Sequence, residues 1–457
     1  MRTITINPLT RISGFLEIEV MVENHKVIDA KSSGLLFRGF EKMLKGRHPL
    51  DAIYFTERIC GICSTAHSMA SALALEDALK IVPNENDKMI RDFLHGCEFL
   101  QNHLRHFYLY TLPDFIKGPN VEPVYNNSHT DFRLPKNLND RLANSYVEAV
   151  KYSRKAHEAL AVLGGKAPHN HGIFVGGVTV NLDASKYSQI KALIYEIDDF
   201  VTNRMLEDVQ IIAEYYSDYF NNGAGYGNLL SYGVYDDYSE VQLTYVKPKV
   251  SVNNNFYKLN ENRITEDIKR AWYSEDTNPS IPKEGAYTWV KAPRYNGYAF
   301  EVGPLARMIL SSNYPKKVST MDRTIARVLE AKKIIEIMKE LLRRIKFQPA
   351  EQKRYDILDS TTGRGLTDTT RGALGHWISI KDKRIEHYNI ITPSVWNCSP
   401  TDSNGVKGTI EQALIGTEII DEEHPVEIGR IVRSFDPCIS CATHVITGTT
   451  KPIQIIV

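Results

Sequence analysis

Six cysteines, Cys60, Cys63, Cys97, Cys398, Cys438 and Cys441, are the side chains of this 457-residue sequence whose spacing points most directly to chemistry. Four of them form two C-x-x-C pairs, where chance placement of six cysteines would give roughly 0.07 such pairs, so the pattern is a signal. Six is too few for a disulfide scaffold at this length. The first pair lies in Glu57-Arg58-Ile59-Cys60-Gly61-Ile62-Cys63-Ser64-Thr65-Ala66-His67, the second in Ser434-Phe435-Asp436-Pro437-Cys438-Ile439-Ser440-Cys441-Ala442-Thr443-His444. Gly61 lets the backbone turn so that both thiols face one point. Arg58 favours the thiolate form, and a His follows each pair. Four thiolates from two distant knuckles are the usual form of an all-cysteine metal site. A disulfide would need the pairs to close at bonding geometry, and a redox dithiol expects a βαβ setting that neither pair clearly has. Spacing leaves zinc, an iron–sulfur cluster and nickel open, because soft thiolates suit all three.

The elements that must bring the two pairs together read as mostly helical. Thr3–Ile6 and Leu16–Val20 alternate as strands do. Apolar residues at helical spacing then mark Asp87–Tyr110, Leu138–Leu163, Ser185–Tyr219 and Met321–Leu342. Residues 222–300, rich in Asn, Tyr, Gly and Pro, predict a small β-containing subregion, and the last third mixes loops with short strands. The expected fold is mainly α with marginal β, one large helical-bundle domain over 1–457, because no repeat or low-complexity linker divides the chain. Lys+Arg and Asp+Glu are 55 each. A formal charge of zero argues against a nucleic-acid binder. The opening MRTITINPLT lacks a signal-peptide core, and no stretch is apolar enough to span a membrane.

The two cysteine segments resemble the ligand motifs of the large subunit of nickel–iron hydrogenases, and further blocks follow in the same order. Asn7-Pro8-Leu9-Thr10-Arg11-Ile12, Phe37-Arg38-Gly39-Phe40-Glu41, Gly164-Gly165-Lys166, Lys291-Ala292-Pro293-Arg294-Tyr295 and Glu301-Val302-Gly303-Pro304 are similar to it. So are Arg371-Gly372-Ala373-Leu374-Gly375-His376-Trp377 and Trp396-Asn397-Cys398-Ser399-Pro400. The resemblance implies reversible heterolytic cleavage of dihydrogen at a nickel–iron centre whose iron carries cyanide and carbonyl. It implies Cys60 and Cys438 as terminal nickel ligands, Cys63 and Cys441 as bridges, and Cys438 as a candidate base. Arg371 is implied as the residue overhanging the open metal position, held by Asp114 and Asp436. Ser394 is implied as hydrogen-bonding a cyanide, His67 as donating to sulfur, and Glu41, the Ile390 carbonyl and His444 as ligands of a magnesium ion.

Three positions depart from the family pattern. Ser13 stands where a glutamate usually accepts the proton beyond the terminal thiolate, and a hydroxyl can relay a proton but not store one. Thr370 and Thr392 replace a usual proline and a common valine beside the diatomic ligands. Cys97 and Cys398 read as small buried apolar residues, which leaves no cysteine set for an iron–sulfur cluster in this chain. The resemblance therefore implies an iron–sulfur small subunit as partner, a maturation endopeptidase and nickel-insertion proteins, and a cytoplasmic, periplasmic or membrane-associated location through that partner. It also implies that residues 445–457, VITGTTKPIQIIV, are a C-terminal tail removed after His444. Two other readings are the metal-free quinone-reductase homologue, which typically lacks these cysteines, and a zinc-stabilised structural protein.

Overall fold

The apolar repeat at 87–110 forms a helix, Glu85–Arg105, that runs on through a wider π-type turn at His106–Thr111. Asn84 caps it by accepting from the Asp87 amide at 2.9 Å, which satisfies one of the donors a helix start leaves open. The computed structural model describes residues 1–119, 129–275, 278–351 and 353–442. The expectations for His444 and the 445–457 tail lie outside the described residues.

The other expected helices are Lys136–Gly164, Ala184–Phe200 and Thr320–Arg344. The third repeat is not one helix. It passes through a π-type turn at Val201–Met205 into Leu206–Tyr215 and then a 3-10 turn at Ser217–Phe220. Glu85–Arg105 packs against Lys136–Gly164 and Thr320–Arg344, and Ala184–Phe200 packs on both of these. Their apolar stripes merge into one core that also takes in Cys60, Cys63, Cys438 and Cys441.

A further long helix, Ser64–Leu79, starts directly after the first cysteine pair. The sequence pattern does not reveal it, because every residue from Ser64 to Ala72 is buried, as are Ala74, Leu75, Glu76 and Ala78. A helix enclosed all round carries no polar stripe for periodicity to detect.

The chain opens with an antiparallel meander of Arg2–Ile6, Leu16–Glu23 and Lys26–Gly34. Residues 222–300 contain several short strands. They carry one three-stranded sheet, Leu229–Ser231, Lys249–Val252 and Asn255–Lys258, and a pairing of Ile264–Asp267 with Ala292–Tyr295. The last third holds longer strands than its pattern suggests, a meander of Ser360–Thr369, Gly372–Lys381 and Arg384–Ile391. This meander lies almost in backbone contact with Ser64–Leu79. A Cβ at Gly365 would stand 1.9 Å from the Ala70 carbonyl oxygen, and one at Gly363 would stand 2.2 Å from that of Ala74. Ala70, Ala74 and Ala78 supply the matching small face. The architecture is thus a helical bundle flanked by small sheets. Among the described residues, no helix is long and apolar enough to cross a membrane.

The sheet-on-helix contact sets a test. Gly365→Ala forces a methyl into a filled space, which should cost about 1–3 kcal/mol by overpacking and lower the thermal midpoint. An unchanged melt would mean that strand and helix do not touch in this way.

Candidate metal centre

The first cysteine pair sits in the tight loop between helix Asp51–Glu57 and helix Ser64–Leu79, and the second sits just after helix Val426–Ser434. The four sulfurs all lie within 4.8 Å of one another and are all buried. Cys60 and Cys438 Sγ are 3.4 Å apart, Cys63 and Cys441 3.2 Å, and Cys438 and Cys441 3.0 Å. A disulfide needs about 2.05 Å, and all six cysteines are free. The Cys438 thiol is held well below its ordinary pKa by hydrogen bonds from Cys441, Cys60 and Cys63, with Arg371 adding positive charge. Cys63 is pushed up by the same sharing with Cys438 and Cys441, and Cys441 by burial first. The Cys63 and Cys441 thiols thus keep their protons until a cation replaces them. Such a donor set fits a soft transition metal.

Backbone contacts hold the two loops together. Ser13 N donates to the Pro437 carbonyl at 3.2 Å, and Ile439 N donates to the Ser13 carbonyl at 2.7 Å, so Ser13 lies alongside Cys438 as a parallel bridge. The approach leaves no room at the next residue: a Cβ on Gly14 would stand 2.6 Å from Ser440 N. Ser394 Oγ accepts from the Cys438 amide at 2.8 Å. Arg38 spans both motifs, donating to the carbonyls of Ile59 and Ser440.

Arg371 is buried in the turn between strands Ser360–Thr369 and Gly372–Lys381. Its Nε donates to the Asp436 carbonyl at 2.9 Å and its Nη2 to Asp436 Oδ1 at 3.0 Å. Burial opposes the Asp436 charge, but Arg371, then His106 and Arg327, outweigh it and hold the carboxyl below its usual range. Arg371 thus pairs with Asp436 and not with Asp114. Asp114 binds Arg433 Nη1 at 2.8 and 3.0 Å and pairs with Arg11. Burial opposes its charge too, yet Arg11 and Arg433 bring it to about 2. Because Arg433 also donates to the Thr10 carbonyl at 2.9 Å, Asp114 ties the 10–13 segment to the helix that leads into the second cysteine pair.

The second side chain facing Arg371 is Asn102, whose Oδ1 lies 3.5 Å from Nη1. Its amide donates to the Ile62 carbonyl inside the first cysteine loop at 2.8 Å. The available signal was a polar pair at i, i+4, Glu98 and Asn102, that lies off the apolar repeat of that helix. Glu98 accepts from the Thr65 and Ala66 amides at 2.6 and 3.1 Å and so caps helix Ser64–Leu79. Burial raises Glu98 to about 7 and Glu57 to about 8.

Thr370 and Thr392 are fully buried, and neither hydroxyl has a hydrogen-bond partner among the described residues. Unpaired hydroxyls in a buried wall are costly unless a bound group accepts from them. His67 is buried one helical turn beyond Cys63, with its Nδ1 3.1 Å from His376 Nε2. Glu41 is a buried carboxylate, 8% exposed. Its Oε1 accepts from the Ile390 amide at 2.9 Å, and Lys291 Nζ lies 3.7 Å away. Cys97 and Cys398 are fully buried and stand outside the cluster; burial pushes both thiols well above their ordinary pKa.

Residues 38–124 and 118–444 match the nickel-dependent hydrogenase family. The chain is 34% identical to the periplasmic [NiFeSe] hydrogenase large subunit of Desulfomicrobium baculatum, over 98% of this chain and 96% of that one. It is 31% identical to the quinone-reactive Ni/Fe-hydrogenase large chain of Wolinella succinogenes, over 97% and 96%. The fold matches that of the Ni-Fe-Se hydrogenase from D. vulgaris Hildenborough in the reduced state with a TM-score of 0.93 at 36% identity, covering 97% of this chain and 100% of that one. Selenium in those names belongs to those proteins; here both motifs carry cysteine at each position.

Asp114 gives the centre its second test. Asp114→Ala leaves the Arg433 guanidinium buried without a carboxylate, a loss of about 3–5 kcal/mol. The thermal midpoint should fall clearly. A variant that melts with the parent would remove Asp114 from the scaffold of the site.

Proposed function

This chain belongs to the nickel-dependent hydrogenase family, a hydrogenase large subunit that splits dihydrogen into protons and electrons, and we propose how its residues divide that work. The observation that carries the reading is the meeting of four thiols within 4.8 Å from two motifs at opposite ends of the chain. The cysteine cluster would hold a nickel–iron pair whose iron carries cyanide and carbonyl, and that group would supply the polarisation of dihydrogen and an acceptor for its electrons. Cys60 and Cys438 would hold nickel alone, and Cys63 and Cys441 would be shared by nickel and iron. Cys438 Sγ would take the proton, as the nickel-bound thiol that lies beside Ser13.

Arg371, aligned by Asp436 and Asn102, presents a fixed positive charge over the centre and a planar donor set that keeps water from replacing substrate there. The Ser394 hydroxyl, whose oxygen accepts from Cys438 N, donates its proton to a cyanide. Thr370 and Thr392 add two further donors to the same wall. Ser13, beside Cys438, passes the proton on through its hydroxyl or a water.

Glu41 and the Ile390 carbonyl form part of a magnesium site that His444 completes; a buried carboxylate and a carbonyl suit a hard cation. Electrons leave through an iron–sulfur small subunit, since the two remaining cysteines lie in separate apolar clusters. Residues 1–457 form one large catalytic domain, with 222–300 a β-containing subregion within it. A maturation endopeptidase removes 445–457 after nickel-insertion proteins have loaded the site.

Metal analysis with infrared spectroscopy tests the centre. The active protein should hold nickel and iron and show cyanide and carbonyl bands, and zinc alone would overturn the assignment. Cys60→Ser, Cys63→Ser, Cys438→Ser and Cys441→Ser should each abolish turnover, because a hydroxyl stays protonated where a thiolate binds; Cys97→Ala should keep the metals. Active Cys438→Ser enzyme is the result that would sink the ligand set.

Arg371→Lys should lower hydrogen oxidation by orders of magnitude in fully metallated protein, because an ammonium cannot reproduce the two-point contact with Asp436. Turnover within about twofold of the parent would refute the role. Intact mass of the active enzyme should end at His444, and a loaded, active chain ending at Val457 would count against processing.

A further inference from the structure

Behind His67 runs a file of buried polar groups that the reading of the centre leaves unused. His67 Nδ1 lies 3.1 Å from His376 Nε2, His376 Nδ1 lies 2.9 Å from Tyr388 Oη, and Tyr388 Oη lies 3.1 Å from Ser71 Oγ. All four side chains are buried. His67 and Ser71 are one turn apart on helix Ser64–Leu79. His376 and Tyr388 are diagonal neighbours on adjacent strands of the sheet that lies on that helix. We infer that Tyr388 and His376 are positioning residues that fix the direction of His67's hydrogen bond, so that its Nε2–H is always presented to the cysteine cluster.

One proton fits between two ring nitrogens 3.1 Å apart, so one imidazole donates and the other accepts. Two directions are then open to the whole file. In one, His67 donates from Nδ1 and turns a bare Nε2 lone pair toward sulfur. In the other, Tyr388 donates to His376 Nδ1, His376 donates from Nε2 to His67 Nδ1, and His67 keeps its proton on Nε2. Thiolates accept and do not donate, so the second direction alone makes a bond at the cluster. The Cys438 charge acts on His67, which places that ring beside the cluster. The phenol matters because its O–H can satisfy a bare His376 Nδ1, while Ser71 supplies the hydroxyl's other contact. The partner of a ligand-orienting imidazole commonly sets its tautomer in this manner.

The inference rests on the four sulfurs being thiolates around the nickel–iron group, and the test separates the two ideas. Tyr388→Phe keeps the ring and removes the O–H. The loaded enzyme should retain its nickel and iron, show shifted carbonyl and cyanide infrared bands, and lose about tenfold in turnover. Ser71→Ala should leave the bands in place. If Tyr388→Phe does not load metal, the pair His376→Gln and His376→Phe decides. The glutamine amide can donate to His67 Nδ1 without help and should keep wild-type bands, whereas phenylalanine should shift them. Bands that coincide with the parent in Tyr388→Phe, or in His376→Phe, overturn the file. A parent protein without nickel and without cyanide bands overturns the hydrogenase reading, and the file with it, since no thiolate would then face His67.

Discussion

Four sulfurs forced within 4.8 Å of one another are the constraint from which the rest of the molecule follows. Ionised without a cation they would repel, and protonated they gain little, so the loops that carry them need an outside restraint. That restraint is largely backbone and guanidinium chemistry. Arg38 reaches one carbonyl in each motif, and the Ser13 peptide pairs on both sides of Cys438. These contacts use main-chain groups, so they fix loop position while leaving the thiol side chains available for metal. Binding then replaces protons with a cation and turns crowding into coordination.

A second layer of the scaffold is a closed circuit of buried charges. Arg307 grips Glu330 through two bonds of 2.7 Å and donates to the carbonyls of Thr369 and Thr370, the residues leading into Arg371. Glu330 meets His103, His103 meets Arg327, Arg327 meets Asp436, and Asp436 returns to Arg371. Each member has lost its hydration, so none can leave the circuit without stranding a neighbour. The arrangement holds the Arg371 side chain from the front and its backbone from behind. A guanidinium that acts by position over an active centre requires that kind of immobility.

The helix Ser64–Leu79 links this scaffold to the sheet. It begins at the first cysteine pair, is capped by Glu98, carries His67 and Ser71, and lies on strands that bear His376, Tyr388 and the Arg371 turn. Only glycine at 363 and 365 allows that closeness. The small residues there, which contribute little apolar area, set the distance between the two halves of the site.

The sequence by itself determined the ligands and the helices whose apolar residues recur at helical spacing. C-x-x-C spacing is local, so the identity of Cys60, Cys63, Cys438 and Cys441 as one donor set was legible, as were Arg371 and Asp436 within their motifs. Glu85–Arg105 and Thr320–Arg344 were legible because their apolar residues recur at helical spacing between charged and polar ones. Only the tertiary structure decided what meets what. It put Asn102 rather than Asp114 against Arg371, because Arg11 and Arg433 lie closer to Asp114 and take up its charge. It revealed Ser64–Leu79, whose enclosure on every side erases the polar stripe that periodicity reads. It also lined up His67, His376 and Tyr388, three residues from two motifs and a separate strand, because a hydrogen bond depends on a distance of about 3 Å in space and sequence separation carries no record of that.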